Sequence, residues 1–195
     1  MRLFYNSNST QFKEEFFEYW KQCDRVTINF SVDDIGKRFE YQRKNAIYSN
    51  VFKNLALFKE HAIKHNVKHE FNIYCTVGIL NVWYLPEFLK EFEKLELPIW
   101  LNLVHYPDHF NIKNLPKPVK EKIKQKYSTI DYSNLKFNKD SMSVQDVVNF
   151  MLLNNDDYTQ LEKFYDVVSL HDTYRNESFD ETFSEMSTLL KKYGK

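Results

Sequence analysis

Residues 26 to 33 alternate between two chemistries. Val26, Ile28, Phe30 and Val32 are apolar; Thr27, Asn29, Ser31 and Asp33 are polar. Alternation with period two predicts a strand with unlike faces. Similar short segments predict strands over Leu3–Ser7, Arg25–Val32, Glu70–Val77 and Ile99–His105. Between them apolar residues recur at three- and four-residue spacing, which predicts helices. These sets are Phe12, Phe16, Phe17 and Trp20; Val51, Leu55, Phe58 and Ala62; and Leu85, Phe88, Leu89 and Phe92. Strands alternating with helices predict parallel βα units joined by right-handed crossovers.

Beyond His105 the pattern changes. YPDHFNIKNLPKP holds three prolines and predicts a long loop. Helical patterns alone follow, over Val119–Tyr127, Val144–Asn154, Tyr158–Tyr174 and Phe179–Tyr193, with Ser143 and Asp157 as caps. The stretch after Asp33-Asp34, with Gly36 followed by Arg38, Phe39, Tyr41 and Arg43, is expected to be a loop.

The polar strand faces are unusual for this architecture. Strands of a parallel sheet covered on both sides read as nearly continuous apolar runs. Here Thr27, Asn29, Ser31 and Asp33 share one face, and Glu70, Asn72, Tyr74 and Thr76 share another, opposite Phe71, Ile73, Cys75 and Val77. Asn102 lies between Leu101 and Leu103, and the first strand runs out into Asn6, Ser7, Asn8, Ser9 and Thr10. One sheet face is therefore packed by helices and the other is polar. Two explanations stand: a solvated or polar-covered face, or a wall around a polar ligand. A ligand would satisfy groups that otherwise cost several kcal/mol to bury. In βα-barrel enzymes the site lies at the C-terminal strand ends, which here carry Ser7, Asn8, Ser31, Asp33, Thr76 and His105.

Composition narrows the chemistry. The three glycines among 195 residues, Gly36, Gly78 and Gly194, are far apart. A phosphate-cradling loop needs several close together, so a P-loop and a GxGxxG turn are excluded. Lys+Arg and Asp+Glu are equal at 27 each, which gives no global charge to attract nucleic acid or an acidic membrane. The basic run KPVKEKIKQKY has no interleaved aromatic platform and reads as a solvated helix face. Two cysteines, Cys23 and Cys75, form no CxxC or CxxxCxxC pattern. His61, His65 and His69 are spaced by four, but His69 falls at a strand start and no carboxylate completes an HExxH pattern; the pair in HYPDH is equally weak as a metal motif. No apolar run approaches the ~20 residues of a membrane span, and the N-terminus has no signal-peptide core. The chain reads as a cytoplasmic protein with reduced thiols.

Several stretches, in order, resemble the radical SAM superfamily, specifically its twitch-domain-containing, peptide-modifying branch. YNSNST resembles the family's third strand with its TNGT-like turn. VTINFSVDDIGKRFEYQR resembles the fourth strand with its SIDG-type end, here Ser31-Val32-Asp33-Asp34. FNIYCTVGILNVWYLPEF, LPIWLNLVHYPDHFNIKNLP and HDTYRNESFDETF resemble the fifth strand, the sixth strand and the C-terminal segment. The resemblance covers most of residues 3 to 183. The chain departs from the family in three ways: the cluster-binding CxxxCxxC and the GGE-like motif are absent, SNS replaces TNG, and DD replaces DG.

The resemblance implies an α/β fold: a partial parallel (β/α) barrel of about four strands over residues 1–115, with a helical C-terminal region over 116–195 packed on it. It implies S-adenosylmethionine (SAM) as cofactor. Ser31 and Asp33 would bond the ribose or amino group, and Arg43, or secondarily Arg38, would pair with the methionine carboxylate. Ser7 and Asn8 would approach the methionyl portion, Thr76 and Asn81 would lie near the fifth-strand end, and Val104–His105 near the adenine. A [4Fe–4S] cluster would come only from another chain. The implied function is a C-terminal fragment or split subunit of a radical SAM enzyme, acting on a peptide or protein. The alternative is a degenerate half-barrel serving as a protein-binding module. Either way the exposed edge of Leu3–Ser7 is expected to recruit an N-terminal half or a second copy.

Overall fold

The computed structural model describes residues 1–153 and 158–193. The expected cap Asp157, the helix end at Asn154 and Gly194 lie outside the described residues. Four strands, β1 (Arg2–Ser7), β2 (Arg25–Ser31), β3 (His69–Val77) and β4 (Ile99–Leu103), form one parallel sheet in the order β1-β2-β3-β4. The helices between them are α1 (Glu15–Trp20), α2 (Gly36–Gln42), α3 (Tyr48–Lys64) and α4 (Leu85–Glu93). The C-terminal region is helical: α5 (Lys117–Ser128), α6 (Val144–Met151), α7 (Tyr158–Arg175), α8 (Phe179–Thr182) and α9 (Ser184–Leu190). The fold is α/β with an unclosed, partial barrel of four strands and a C-terminal helical region, as the sequence leads one to expect. Among the described residues no helix is long and apolar enough to cross a membrane.

The chain divides into two compact units whose boundary passes through β3 and β4. The first holds Met1–Cys75, Leu89–Trp100 and Asn134–Ser141; the second holds Thr76–Phe88, Leu101–Ser133 and Met142–Lys195.

In the first unit the apolar strand faces are buried: Val26, Ile28 and Phe30 of β2, and Phe71, Ile73 and Cys75 of β3. Val51, Leu55, Phe58 and Ala62 bring the buried stripe of α3 to this core. Phe58 is its hub. Its ring centroid lies 5.1 Å from Phe12, 5.2 Å from Phe30, 6.1 Å from Trp20, 6.2 Å from Phe17 and 6.4 Å from Phe71. Phe12 precedes α1 rather than belonging to it, and still packs edge-on against Phe58. The expected helical spacing was therefore met by a loop residue and a two-turn helix together.

The second unit has its own aromatic core. Phe164 of α7 meets Phe110 at 5.6 Å and Phe179 at 5.4 Å, and Phe179 stacks on Phe183 at 5.4 Å. The Tyr84 hydroxyl accepts from the Met186 amide, and the Tyr127 hydroxyl donates to the Val82 carbonyl. The basic run forms α5, with Val119, Ile123 and Tyr127 buried and Lys117, Lys122 and Lys124 exposed. Lys126 lies 4.4 Å over the Trp83 ring and pairs with Glu87.

Three boundaries differ from expectation. The stretch after Asp34 is helical, not a loop: α2 buries Phe39 and Tyr41. The last strand stops at Leu103, two residues before His105. The helix expected over Phe179–Tyr193 is broken at Phe183, whose backbone (φ −119°, ψ 46°) leaves the helical region while its ring stays in the core. Ser143 caps α6 as expected, in a reciprocal capping box with Asp146.

Truncating the hub should be costly. Phe58→Ala is expected to destabilise the protein by about 3–5 kcal/mol. A thermal melt should show the midpoint falling by roughly 6–20 °C. A shift under about 2 °C would show that the cluster does not carry this unit.

Candidate functional site

The polar face of the first unit is ordered from its middle outward. The parallel register sets Asn6 opposite Asn29 and Asn29 opposite Asn72. The Asn72 side-chain amide donates to Asn29 Oδ1 at 3.1 Å, and Asn72 Oδ1 accepts from Asn138 Nδ2 at 2.9 Å. Asn72 is fully buried and Asn29 almost so. Asn138 is held in place because its segment bridges β4: Ile99 N–H donates to the Lys136 carbonyl and Asn138 N–H to the Ile99 carbonyl. The middle of the face is therefore closed by protein, and its polar groups are satisfied internally.

Toward the C-terminal strand ends the face opens. Ser31, Asp33 and Tyr74 are half-buried, and Ser31 stands opposite Tyr74 in register. Asp33 is held by Arg43, whose Nε and Nη2 both donate to Asp33 Oδ2, at 2.9 and 2.6 Å. The pair is mostly shielded, with side-chain exposures of 15% for Asp33 and 28% for Arg43. Arg43 is thus the partner of Asp33, the other residue expected at the same site.

Asp34 has a different role. Its carboxylate is fully buried; Oδ1 accepts from the Ile35 amide at 2.8 Å and from Arg38 Nε at 3.0 Å, and Oδ2 accepts from Gln42 Nε2. Arg38 is therefore committed to anchoring α2. The left-handed residue in this turn is Gly36 (φ 54°), two positions after Asp34. The turn thus puts its positive φ on the glycine, and Asp34 keeps an ordinary backbone conformation. Beneath it, the Cys75 thiol donates to the Asp33 carbonyl at 3.7 Å. Burial pushes this thiol well above its ordinary pKa, and the Asp33 and Asp34 carboxylates add to the effect.

At the end of β1, Ser7 Oγ accepts from the Ser9 amide, and Asn8 Oδ1 accepts from the Thr10 amide and hydroxyl. Ser9 takes the left-handed conformation (φ 56°), and its buried hydroxyl has no hydrogen-bond partner. Its carbonyl accepts from Asn54 Nδ2 of α3 at 2.8 Å.

Thr76, Asn81 and His105 belong to the second unit. Asn81 Nδ2 donates to the Thr76 carbonyl and Asn81 Oδ1 accepts from the Gly78 amide, so this side chain knits the turn after β3. Gly78 sits where a Cβ would lie 2.9 Å from Val104. His105 is exposed, with its ring edge-on to Phe150 and its carbonyl accepting from Asn111.

Among the expected residues, the structure joins Asp33 with Arg43 directly and gives Ser7, Asn8 and Asn81 local turn partners. The roles of Asp34 in anchoring α2 and of Asn138 in satisfying Asn72 were not read from the sequence. The Asp34–Arg38 pair had a signal, the i, i+4 spacing of opposite charges; Asn138 had none. No family model matches this chain, and no curated protein matches it.

Two substitutions probe this arrangement. Asn72→Ala removes the middle of the amide row and should cost about 1–3 kcal/mol, read from the urea midpoint; a change below about 0.5 kcal/mol would mean the row is not stabilising. Ser9→Gly removes a left-handed serine and an orphaned hydroxyl. It should raise stability by about 1 kcal/mol, visible as a melting point roughly 2–4 °C higher; a lower melting point would contradict this account of the turn.

Proposed function

We propose that this chain forms the C-terminal portion of a radical SAM partial barrel, and that it binds SAM at the strand ends. The [4Fe–4S] cluster would be supplied by a polypeptide segment outside this sequence. The observation that carries the reading is the forked Arg43–Asp33 pair at the C-terminal end of β2, where the resemblance implies a cofactor contact. Held by Arg43, the Asp33 carboxylate is a preset acceptor for ribose hydroxyls or an amino group. Arg43 Nη1 takes no part in this pair and is the atom suited to a carboxylate. Ser31, beside Asp33 on the open face, offers a hydroxyl to the same ligand.

The cluster is another matter. Such clusters are held by several Cys thiolates. The two cysteines here are Cys23, half-buried, and Cys75, fully buried with its thiol kept protonated by burial. The residues present do not fit a cluster, and no step of its chemistry is assigned to them.

A second reading, a non-catalytic half-barrel that binds protein, is favoured by β1. It is the outer strand of the sheet, and Phe4 on it is 64% exposed. An unpaired edge with an exposed aromatic is a template for another strand. The substrate, a peptide or protein side chain, rests on the resemblance alone.

The test is co-expression with a CxxxCxxC-bearing N-terminal half, followed by SAM titration of the complex. The expected outcome is a stable complex whose SAM affinity falls at least about tenfold on Asp33→Ala, a loss of roughly 1.4 kcal/mol or more, with circular dichroism unchanged. A stable complex without SAM affinity would support the second reading. A monomer that binds neither partner nor SAM would defeat both.

A further inference from the structure

The first unit also gathers three metal-ligating groups that no sequence motif connects. His61 and His65 lie one turn apart at the C-terminal end of α3, and Glu14 reaches them from the residue that precedes α1. One ligand atom from each lies within 4.8 Å of the others. Glu14 Oε1 is 3.2 Å from His61 Nδ1 and 3.4 Å from His65 Nε2. A tetrahedral ion with bonds of about 2.0–2.1 Å places its ligand atoms about 3.3 Å apart. Two of the three edges already have that length.

Two further observations point to a ligand. His61 Nδ1 is buried and makes no hydrogen bond, because the nearby Glu14 oxygen lies off its bonding direction. An orphaned ring nitrogen in a protein interior is costly unless something fills it. His65 is oriented from behind: its Nδ1 lies 3.2 Å from Glu18 Oε1 while its Nε2 faces Glu14. A carboxylate on the far nitrogen of a ligating histidine is the usual supporting shell of a zinc ligand. The rings are backed by apolar surface, with Phe12 4.9 Å from His61 and Phe17 5.6 Å from both histidines. A cation here would also sit at the C-terminal, electronegative end of a 17-residue helix.

We propose that Glu14, His61 and His65 bind one divalent transition-metal ion of the zinc class, with a fourth position open to water. The ion would tie the start of α1 to the last turn of α3, beside the aromatic cluster. Its present competitor is Lys64, whose Nζ lies 2.9 Å from Glu14 Oε1. The ammonium occupies the carboxylate that the ion would use, so it sets the affinity.

The test is a zinc titration of the chelator-stripped full chain by calorimetry, with thermal melts in parallel. Expected are a 1:1 complex, a zinc-dependent rise in melting temperature, and a distinct response from each exposed variant. Glu14→Gln should weaken binding about a hundredfold, Glu18→Gln about tenfold, and Lys64→Met should tighten it about tenfold. His61 packs against Phe12 and Phe17, so these three exposed positions carry the test without disturbing the core. No 1:1 binding below about 100 μM zinc, or binding insensitive to all three variants, would overturn the proposal. Tightening on Lys64→Met with no loss on Glu14→Gln would overturn it as well, since the carboxylate would not be a ligand.

Discussion

A buried amide row in the middle of the sheet constrains the rest of the first unit. Asn72 has no contact with solvent and must be satisfied by protein. It is satisfied on one side by Asn29, which requires β2 and β3 to keep their register, and on the other by Asn138, which requires the segment around Phe137 to pair alongside the start of β4. A slip of one residue would turn Phe71 and Ile73 into the polar layer and strand the asparagines in the aromatic core. The two faces therefore specify the same register by different means, one by burying rings against Phe58 and the other by pairing amides.

The same arrangement separates the polar face into two regions. Its middle is closed and structural. Its C-terminal end, with Ser31, Tyr74 and the Asp33–Arg43 pair, is only half-buried. Polarity of a strand face is thus not one property with one explanation: the asparagines in the middle serve the sheet by bonding one another, while the residues at the C-terminal end keep partial exposure. Asp33 and Asp34, adjacent in sequence, fall on opposite sides of this division. Asp33 is gripped by Arg43 at the open end, and Asp34 is sunk under α2 with Arg38 and the Ile35 amide.

Much of this was legible in the sequence, for physical reasons that differ by element. The alternation at Val26–Asp33 and at Glu70–Val77 gave strands and faces because side chains in a strand point alternately to either side. The stripe Val51, Leu55, Phe58 and Ala62 gave α3 because one helix face is buried along its length. The helix at Gly36–Gln42 was hidden because it is short and begins at a glycine, a residue that signals a turn; its burial of Phe39 and Tyr41 depends on tertiary packing. Asn138 was hidden because its partner lies 66 residues away, and Glu14 because it meets His61 and His65 only across the fold. Local pattern reports what a residue does to its own element, and it is silent on partners that the chain brings together from a distance.

The two cysteines give the first unit a built-in clock. Cys75 is sealed beneath the strand ends with a thiol that burial keeps protonated, whereas Cys23 is half-exposed after α1. Thiol reagents attack the thiolate and need access. Cys23 is therefore labelled from the native state, and Cys75 only in molecules whose sheet has opened. The ratio of the two labelling rates measures how often the centre of this unit breathes, without any probe being added to the chain.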